Sequence, residues 1–208
     1  QQLISREWVN NARSRWDMYV AKNGEVPPAG VMPIHGLDVA EQGADSNVLC
    51  KRYGGFVPRL KAWSGMDTVS TADKGAFEHK QSHALVTYVD ATGVGVGVAP
   101  EMVRQGCVAV GVKVAESPTI ECELGAFAQL GDQLAWEVRE WLRADPGAML
   151  PPDEMLIQEL LTPTYDVVRG KIKVMPKNKS DGRVCMRDLL KRSPDRFDAL
   201  KMTFAGSA

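Results

Sequence analysis

Apolar and polar positions along this chain recur with two different periods, and the changes of period mark its elements. Between residues 5 and 21, Trp8, Ala12, Trp16 and Tyr19 fall on one side of a helix. Residues 22–33 then carry Asn23-Gly24, Pro27-Pro28 and Gly30, the composition of a linker. Short apolar runs follow at 33–38, 47–53 and 56–63, the last two separated by Gly54-Gly55, a two-residue hairpin turn. Residues 70–82 return to helical spacing, and 84–90 read as a buried strand ending on Asp90. A short helix over 100–105 leads to another strand at 107–114.

The second half begins with a long amphipathic helix predicted over 124–144 from Phe127, Leu130, Leu134, Trp136, Val138 and Trp141. Prolines within 146–152 end it, and 153–161 predicts a shorter helix. The runs 165–168 and 171–175 pair around Arg169-Gly170, and helices at 181–191 and 194–204 close the chain. Three early strands joined by hairpins, then strand–helix–strand, is the order of a mixed five-stranded sheet flanked by helices. The expected class is α/β and ribonuclease-H-like, with an additional β-hairpin and an N-terminal helical arm. Sugar kinases and actin-like ATPases share that core, so the fold alone selects no function.

Three acidic signatures carry the chemistry. Asp38 ends the first strand in Gly36-Leu37-Asp38-Val39-Ala40, and Asp90 ends another before Ala91-Thr92-Gly93-Val94-Gly95-Val96-Gly97. An aspartate in a central strand is expensive unless it is paired or metal-bound. The glycines after Asp90 would let backbone approach a phosphate or metal closely, although the dinucleotide Gly-x-Gly-x-x-Gly spacing is not met. The third signature is Ser193-Pro194-Asp195-Arg196-Phe197-Asp198-Ala199-Leu200. Ser193 is a natural N-cap and Pro194 suits the first helical position, which leaves Asp195 in the first turn, favoured there by the helix dipole. Asp198 has no such structural role and is the candidate metal ligand, with Asp195 a cap or a neighbour of the ligands. Asp45, in Gly43-Ala44-Asp45-Ser46, reads first as a turn residue and second as another such neighbour.

Carboxylates gathered from two strand ends and a helix suit a hard divalent cation, Mg²⁺ or Mn²⁺. Three of them suffice for two ions about 3.5–4 Å apart, the arrangement of metal-assisted phosphodiester cleavage. Net charge is −1, which argues against a generally basic nucleic-acid-coating protein. The distribution is uneven, because Lys171, Lys173, Lys177, Lys179, Arg183 and Arg192 crowd one C-terminal stretch. These six are the candidate DNA-facing cations, Lys177 and Lys179 being placed to hold the scissile strand.

Other signals are weaker. His79 and His83 have i,i+4 spacing but lack the glutamate of His-Glu-x-x-His, and no P-loop motif is present. Cys50, Cys107, Cys122 and Cys185 form no Cys-x-x-Cys pair and read as free thiols in a reducing compartment. No apolar run is long enough to span a bilayer, so no membrane partner is expected. Gln1-Gln2-Leu3 reads like a cut within a longer polypeptide.

The three signatures, in this order, resemble the C-terminal nuclease domain of the large terminase subunit of tailed bacteriophages. The matching segments are Gly36-Leu37-Asp38-Val39-Ala40 with Gly43-Ala44-Asp45, then Val89-Asp90-Ala91-Thr92-Gly93-Val94-Gly95, then Gly170-Lys171-Ile172 through Lys177 to the Ser193–Leu200 group. Leu3-Ile4-Ser5-Arg6-Glu7-Trp8 is similar to the junction that follows the ATPase domain in that family. The resemblance implies an endonuclease that cuts concatemeric viral DNA during packaging, with Asp38, Asp90 and Asp198 as metal-binding, catalytic acids and two ions bound with DNA. It also implies a preceding ATPase domain, portal and small-terminase partners, and action in the host bacterial cytoplasm rather than in the virion. Residues 1–31 would then be a helix and linker from the motor, and 32–208 the nuclease domain, monomeric when isolated. Glu41 departs from the pattern, where similar sequences often carry arginine, and adds a carboxylate near Asp38. A non-catalytic module that grips DNA within the packaging motor is the alternative.

Overall fold

The computed structural model describes residues 1–40, 46–64, 67–180 and 182–206. Strand β1 (Ile34–Asp38) lies at the centre of a five-stranded sheet. On one side it pairs antiparallel with β2 (Asn47–Arg52), which pairs antiparallel with β3 (Lys61–Trp63). On the other side β4 (Val86–Asp90) runs parallel to β1, and β5 (Ala109–Val112) parallel to β4. The order β3-β2-β1-β4-β5 is the expected mixed sheet. Because β1 and β4 are parallel and in register, with Leu37 opposite Val89, their carboxyl ends share one edge. Asp38 and Asp90 end there together.

Strand alternation sends β1 to two cores. Leu37 faces the smaller one, with Leu49, Val89 and residues of helices α2 (Thr68–Gln81) and α3 (Val98–Arg104). Gly36 and Asp38 face the opposite side, where α7 (Asp195–Met202) crosses the sheet. A Cβ placed on Gly36 would sit 2.0 Å from the Ala199 carbonyl oxygen and 2.9 Å from Met202 Cβ. Glycine is therefore what permits α7 to lie directly on β1. Behind α7 the larger core gathers Phe197 and Leu200 with residues of α4 (Leu130–Ala144) and α5 (Glu154–Leu161).

The N-terminal helix α1 (Arg6–Asn23) is capped by Ser5, whose side chain accepts the Trp8 amide, and ends at Gly24 with φ 78°. Read in the sequence as an arm, it lies against the body: Val9, Ala12 and Trp16 are buried and Trp16 Nε1 donates to Val57 O at 3.0 Å. Cys50, Cys107 and Cys185 are buried free thiols, with Cys122 half-buried.

A second sheet differs from expectation. Strands β6 (Glu121–Cys122), β7 (Gly125–Phe127), β8 (Tyr165–Val168) and β9 (Lys171–Val174) form it in the order β6-β7-β9-β8. The predicted hairpin is present as β8 and β9, but 125–127 joins it instead of opening α4. Gly125, at φ 129°, is outside helical space, and Phe127 satisfies either period by facing Trp136, ring centroids 6.1 Å apart. The run at 56–63 forms a strand only at its end. Pro58 lacks the amide a ladder needs, and Val57 instead donates to Met149 O at 3.1 Å. Helix α6 (Met186–Leu190) is shorter than 181–191, beginning after Gly182 at φ 70° and stopping at Lys191 at φ 59°. His83, at φ 51°, has left α2, so the two histidines share no helical face.

The seat of α7 gives a direct expectation. Gly36→Ala meets backbone rather than a movable side chain, so chemical denaturation should register a loss of about 3 kcal/mol or more, the upper end of overpacking costs.

Candidate active site

Three buried carboxylates converge where β1 ends under the first turn of α7. Oxygens of Asp38, Asp195 and Asp198 lie within 4.8 Å of one another. Asp195 and Asp198 are three residues apart on one helix and so share its face. Among the described residues this is the one such cluster of potential metal ligands. The expected capping arrangement is absent. Pro194 holds the cap position with no side-chain hydrogen bond, Ser193 Oγ is buried without a partner, and Asp195 Oδ2 accepts the Ser46 amide at 3.2 Å. Asp195 thus sits in the first turn of α7, as expected, and stands with the other two acids there.

Two ammonium groups compensate this charge. Lys177 Nζ stands 2.8 Å from Asp198 Oδ2, 3.7 Å from Asp195 Oδ1 and 3.9 Å from Asp38 Oδ2. Lys201 Nζ, one turn along α7, is 2.6 Å from Asp198 Oδ1. Burial opposes the Asp198 charge, but Lys201 and Lys177 together outweigh it and hold its carboxyl below the ordinary range. Asp38 goes the other way. Burial raises it well above its usual value, and Asp198, Asp195 and Asp90 add to the rise against the pull of Lys177. Burial likewise works against the Lys177 charge, yet the three carboxylates hold it firmly protonated.

A cleft of about 610 Å³ opens beside the cluster, lined by Asp90, Asp198, Lys173, Lys177, Lys179 and Arg183 among others. Asp90 Oδ1 accepts the Thr92 amide at 3.0 Å, and Gly95 packs against the Asp90 carbonyl, where a Cβ would come within 2.0 Å. That glycine serves the close turn of the Gly93–Gly97 3₁₀ helix. Of the six predicted DNA-facing cations, four line the cleft, and Lys171 and Arg192 do not. Lys171 is exposed on β9, while Arg192 pairs with the buried Glu159 and donates to Met155 O at 3.1 Å. Glu41 and Asp45 lie outside the described residues.

Two further buried acids, Asp132 and Glu159, lie outside the three acidic signatures. Asp132, in the cleft wall, accepts the Val174 amide at 3.0 Å and fixes β9, the strand before Lys177. Its signal was an acid on an otherwise buried helical face. Lys201 is not among the six candidate cations, although its i,i+3 spacing from Asp198 is legible in the sequence.

The sheet order, the acid-bearing strand ends and the crossing helix define a ribonuclease-H-like fold. Structure comparison narrows the likeness to nuclease domains of phage large terminases. The nuclease domain of the large terminase subunit of bacterial virus Sf6 superposes with a TM-score of 0.76 over 100% of both chains at 24% identity. A mutant of that domain with calcium gives 0.74 over 98% of both chains at 25% identity. The large terminase nuclease of thermophilic phage G20c with bound magnesium gives 0.60 over 86% of this chain and 84% of its own, at 15% identity. Other structures in this group carry manganese, cobalt or zinc. No protein-family model and no curated protein matches the chain.

Removing the shared cation should expose the electrostatic load of this site. Lys177 is one-third exposed, so Lys177→Met should cost roughly 2 kcal/mol at pH 7, less than a fully buried pair. The substitution raises the carboxyl pKa values of the folded state only. The deficit should therefore shrink as pH falls towards 4 and the acids protonate, which urea titrations at the two pH values would measure.

Proposed function

We propose that this chain is a metal-dependent endonuclease that hydrolyses double-stranded DNA with little sequence preference. The observation that carries this reading is the buried Asp38–Asp195–Asp198 cluster, whose Asp198 lines a cleft that also carries lysines and an arginine. Packing three carboxylates this closely costs stability, and a site built for stability alone would use apolar side chains. The donor set fits Mg²⁺ or Mn²⁺, because all the candidate ligands are hard carboxylate oxygens.

Asp38, Asp90 and Asp198 are the proposed catalytic acids, and Asp195 the fourth carboxylate available to the ions. When bound, two such ions supply an acidified water and stabilise the leaving 3′-oxygen. The chain's own residues do the rest. Gly36 and the seat of α7 hold the acids at fixed spacing, Lys201 keeps Asp198 ionised, and Lys173, Lys179 and Arg183 draw the phosphate backbone into the cleft. The likeness to nuclease domains of phage large terminases supports placing this nuclease in viral DNA packaging, on concatemeric DNA in the host cytoplasm, with a motor ATPase domain, portal and small terminase subunit as partners.

Supercoiled plasmid with Mn²⁺ or Mg²⁺ should be nicked and linearised, and chelation should stop the reaction. Asp38→Ala, Asp90→Ala and Asp198→Ala should each abolish cutting while keeping the wild-type circular dichroism. Plasmid that stays intact at high protein concentration, yet is bound, would sink the enzyme reading in favour of a DNA-gripping module.

DNA binding offers a separate measurement. Neutralising Lys173, Lys179 and Arg183 should flatten the dependence of log affinity on log salt, by about 0.9 for each phosphate that is no longer neutralised. The same change at Lys171 or Arg192 should leave the slope unaltered.

A further inference from the structure

The first turn of α7 carries Asp195 and Asp198, yet its own sequence leaves it uncapped. The Asp198 amide closes onto Pro194 O at 2.9 Å. The Phe197 amide, one residue earlier, would be orphaned inside the protein. It donates instead to Glu159 Oε2 at 2.7 Å. Glu159 comes from α5 and is fully buried. Its other oxygen pairs with Arg192 Nη1, and that guanidinium also donates to Met155 O at 3.1 Å and Ser193 O at 3.3 Å. Both oxygens of one carboxylate are thus committed to the segment that leads into α7 and to its first turn.

A second contact between these helices behaves differently. Arg196 Nε donates to Asp153 Oδ2 at 2.9 Å, but both side chains are partly exposed. That pair is an ordinary stitch. A fully buried carboxylate is costly, and here it replaces the cap that Ser193 would have supplied. Metal sites tolerate displacements of only about 0.5 Å in their ligands, so the amide that sets the height of this turn also sets Asp198 against Asp38.

We propose that Glu159 is a positioning residue for the metal-binding acids, fixing the first turn of α7 through the Phe197 amide and Arg192. This rests on the nuclease reading above. Its chemistry separates two conservative changes. Glu159→Gln keeps an acceptor of the same reach for the Phe197 amide while giving up the ion pair with Arg192, whereas Glu159→Asp keeps the carboxyl but withdraws it by one methylene from the amide.

The test compares both variants with the wild-type domain, using calorimetric Mn²⁺ titration without DNA and plasmid cleavage at saturating Mn²⁺, below the unfolding temperature. Glu159→Gln should stay within about threefold of wild type in Mn²⁺ affinity and cleavage. Glu159→Asp should lose about tenfold in both, with the KM for DNA unchanged. A folded Glu159→Asp that matches wild type, or one that exceeds Glu159→Gln, overturns the inference. If Glu159→Asp does not fold, Glu159→Met, of similar volume and without an acceptor, decides by the same titration: a tenfold loss of Mn²⁺ affinity supports the role and wild-type affinity overturns it. A wild type that binds Mn²⁺ but cuts nothing overturns the nuclease reading and leaves the titration to judge Glu159. A wild type that does neither overturns both.

Discussion

The close approach of α7 to β1 at Gly36 sets every other distance in the site. A strand and a helix normally keep a layer of side chains between them. Here the Ala199 carbonyl occupies the space a Cβ would need, so the helix backbone rests on the strand backbone. That contact lets two acids from α7 reach the carboxylate at the end of β1, within 4.8 Å. The rest of the fold supports this seat. Phe197, Ala199 and Leu200 anchor α7 in the larger core, while Glu159 and Asp153 hold its first turn from α5.

The same closeness creates an electrostatic problem that the chain resolves with two lysines of different character. Lys201 belongs to α7 and moves only with it. Lys177 stands after β9, outside regular structure, held by backbone bonds from Met186 to Pro176 O and from Arg187 to Lys177 O. Its side chain is partly open to the cleft, so its ammonium can change position without unseating a helix. Asp38, with its carboxyl raised by burial and by its anionic neighbours, gains from added positive charge. The site is therefore rigid in its oxygens and adjustable in its cation.

What was legible in the sequence follows from which interactions are local. Asp38 and Asp90 stood out because an acid closing an apolar strand violates the hydrophobic pattern, and both strands formed as read. The cap of α7 was misread because Ser193-Pro194 is a sound local signal, whereas the acceptor actually used lies on α5, far along the chain. Arg192 looked like one cation in a basic run and is committed to Glu159 for the same long-range reason. The β7 strand was hidden by Phe127, which fits a helical and a strand pattern equally, so the parallel partner β9 decided the matter. Local propensity yields to a distant ladder when the segment is this short.

Charge makes the final connection between fold and substrate. The chain as a whole carries −1, so overall attraction cannot bring it to DNA. The cleft resolves this locally: Lys173, Lys179 and Arg183 line it together with Asp90 and Asp198, and Lys177 and Lys201 partly compensate the buried acids at α7. A phosphate backbone entering this cleft meets Asp90 and Asp198 with cations beside them. Unscreened acids in the same cleft would repel the strand they are placed to cut, over a range of about 8–10 Å at physiological salt. The lysines thus reconcile two demands on one small volume, admitting a polyanion and holding three carboxyl groups together for metal.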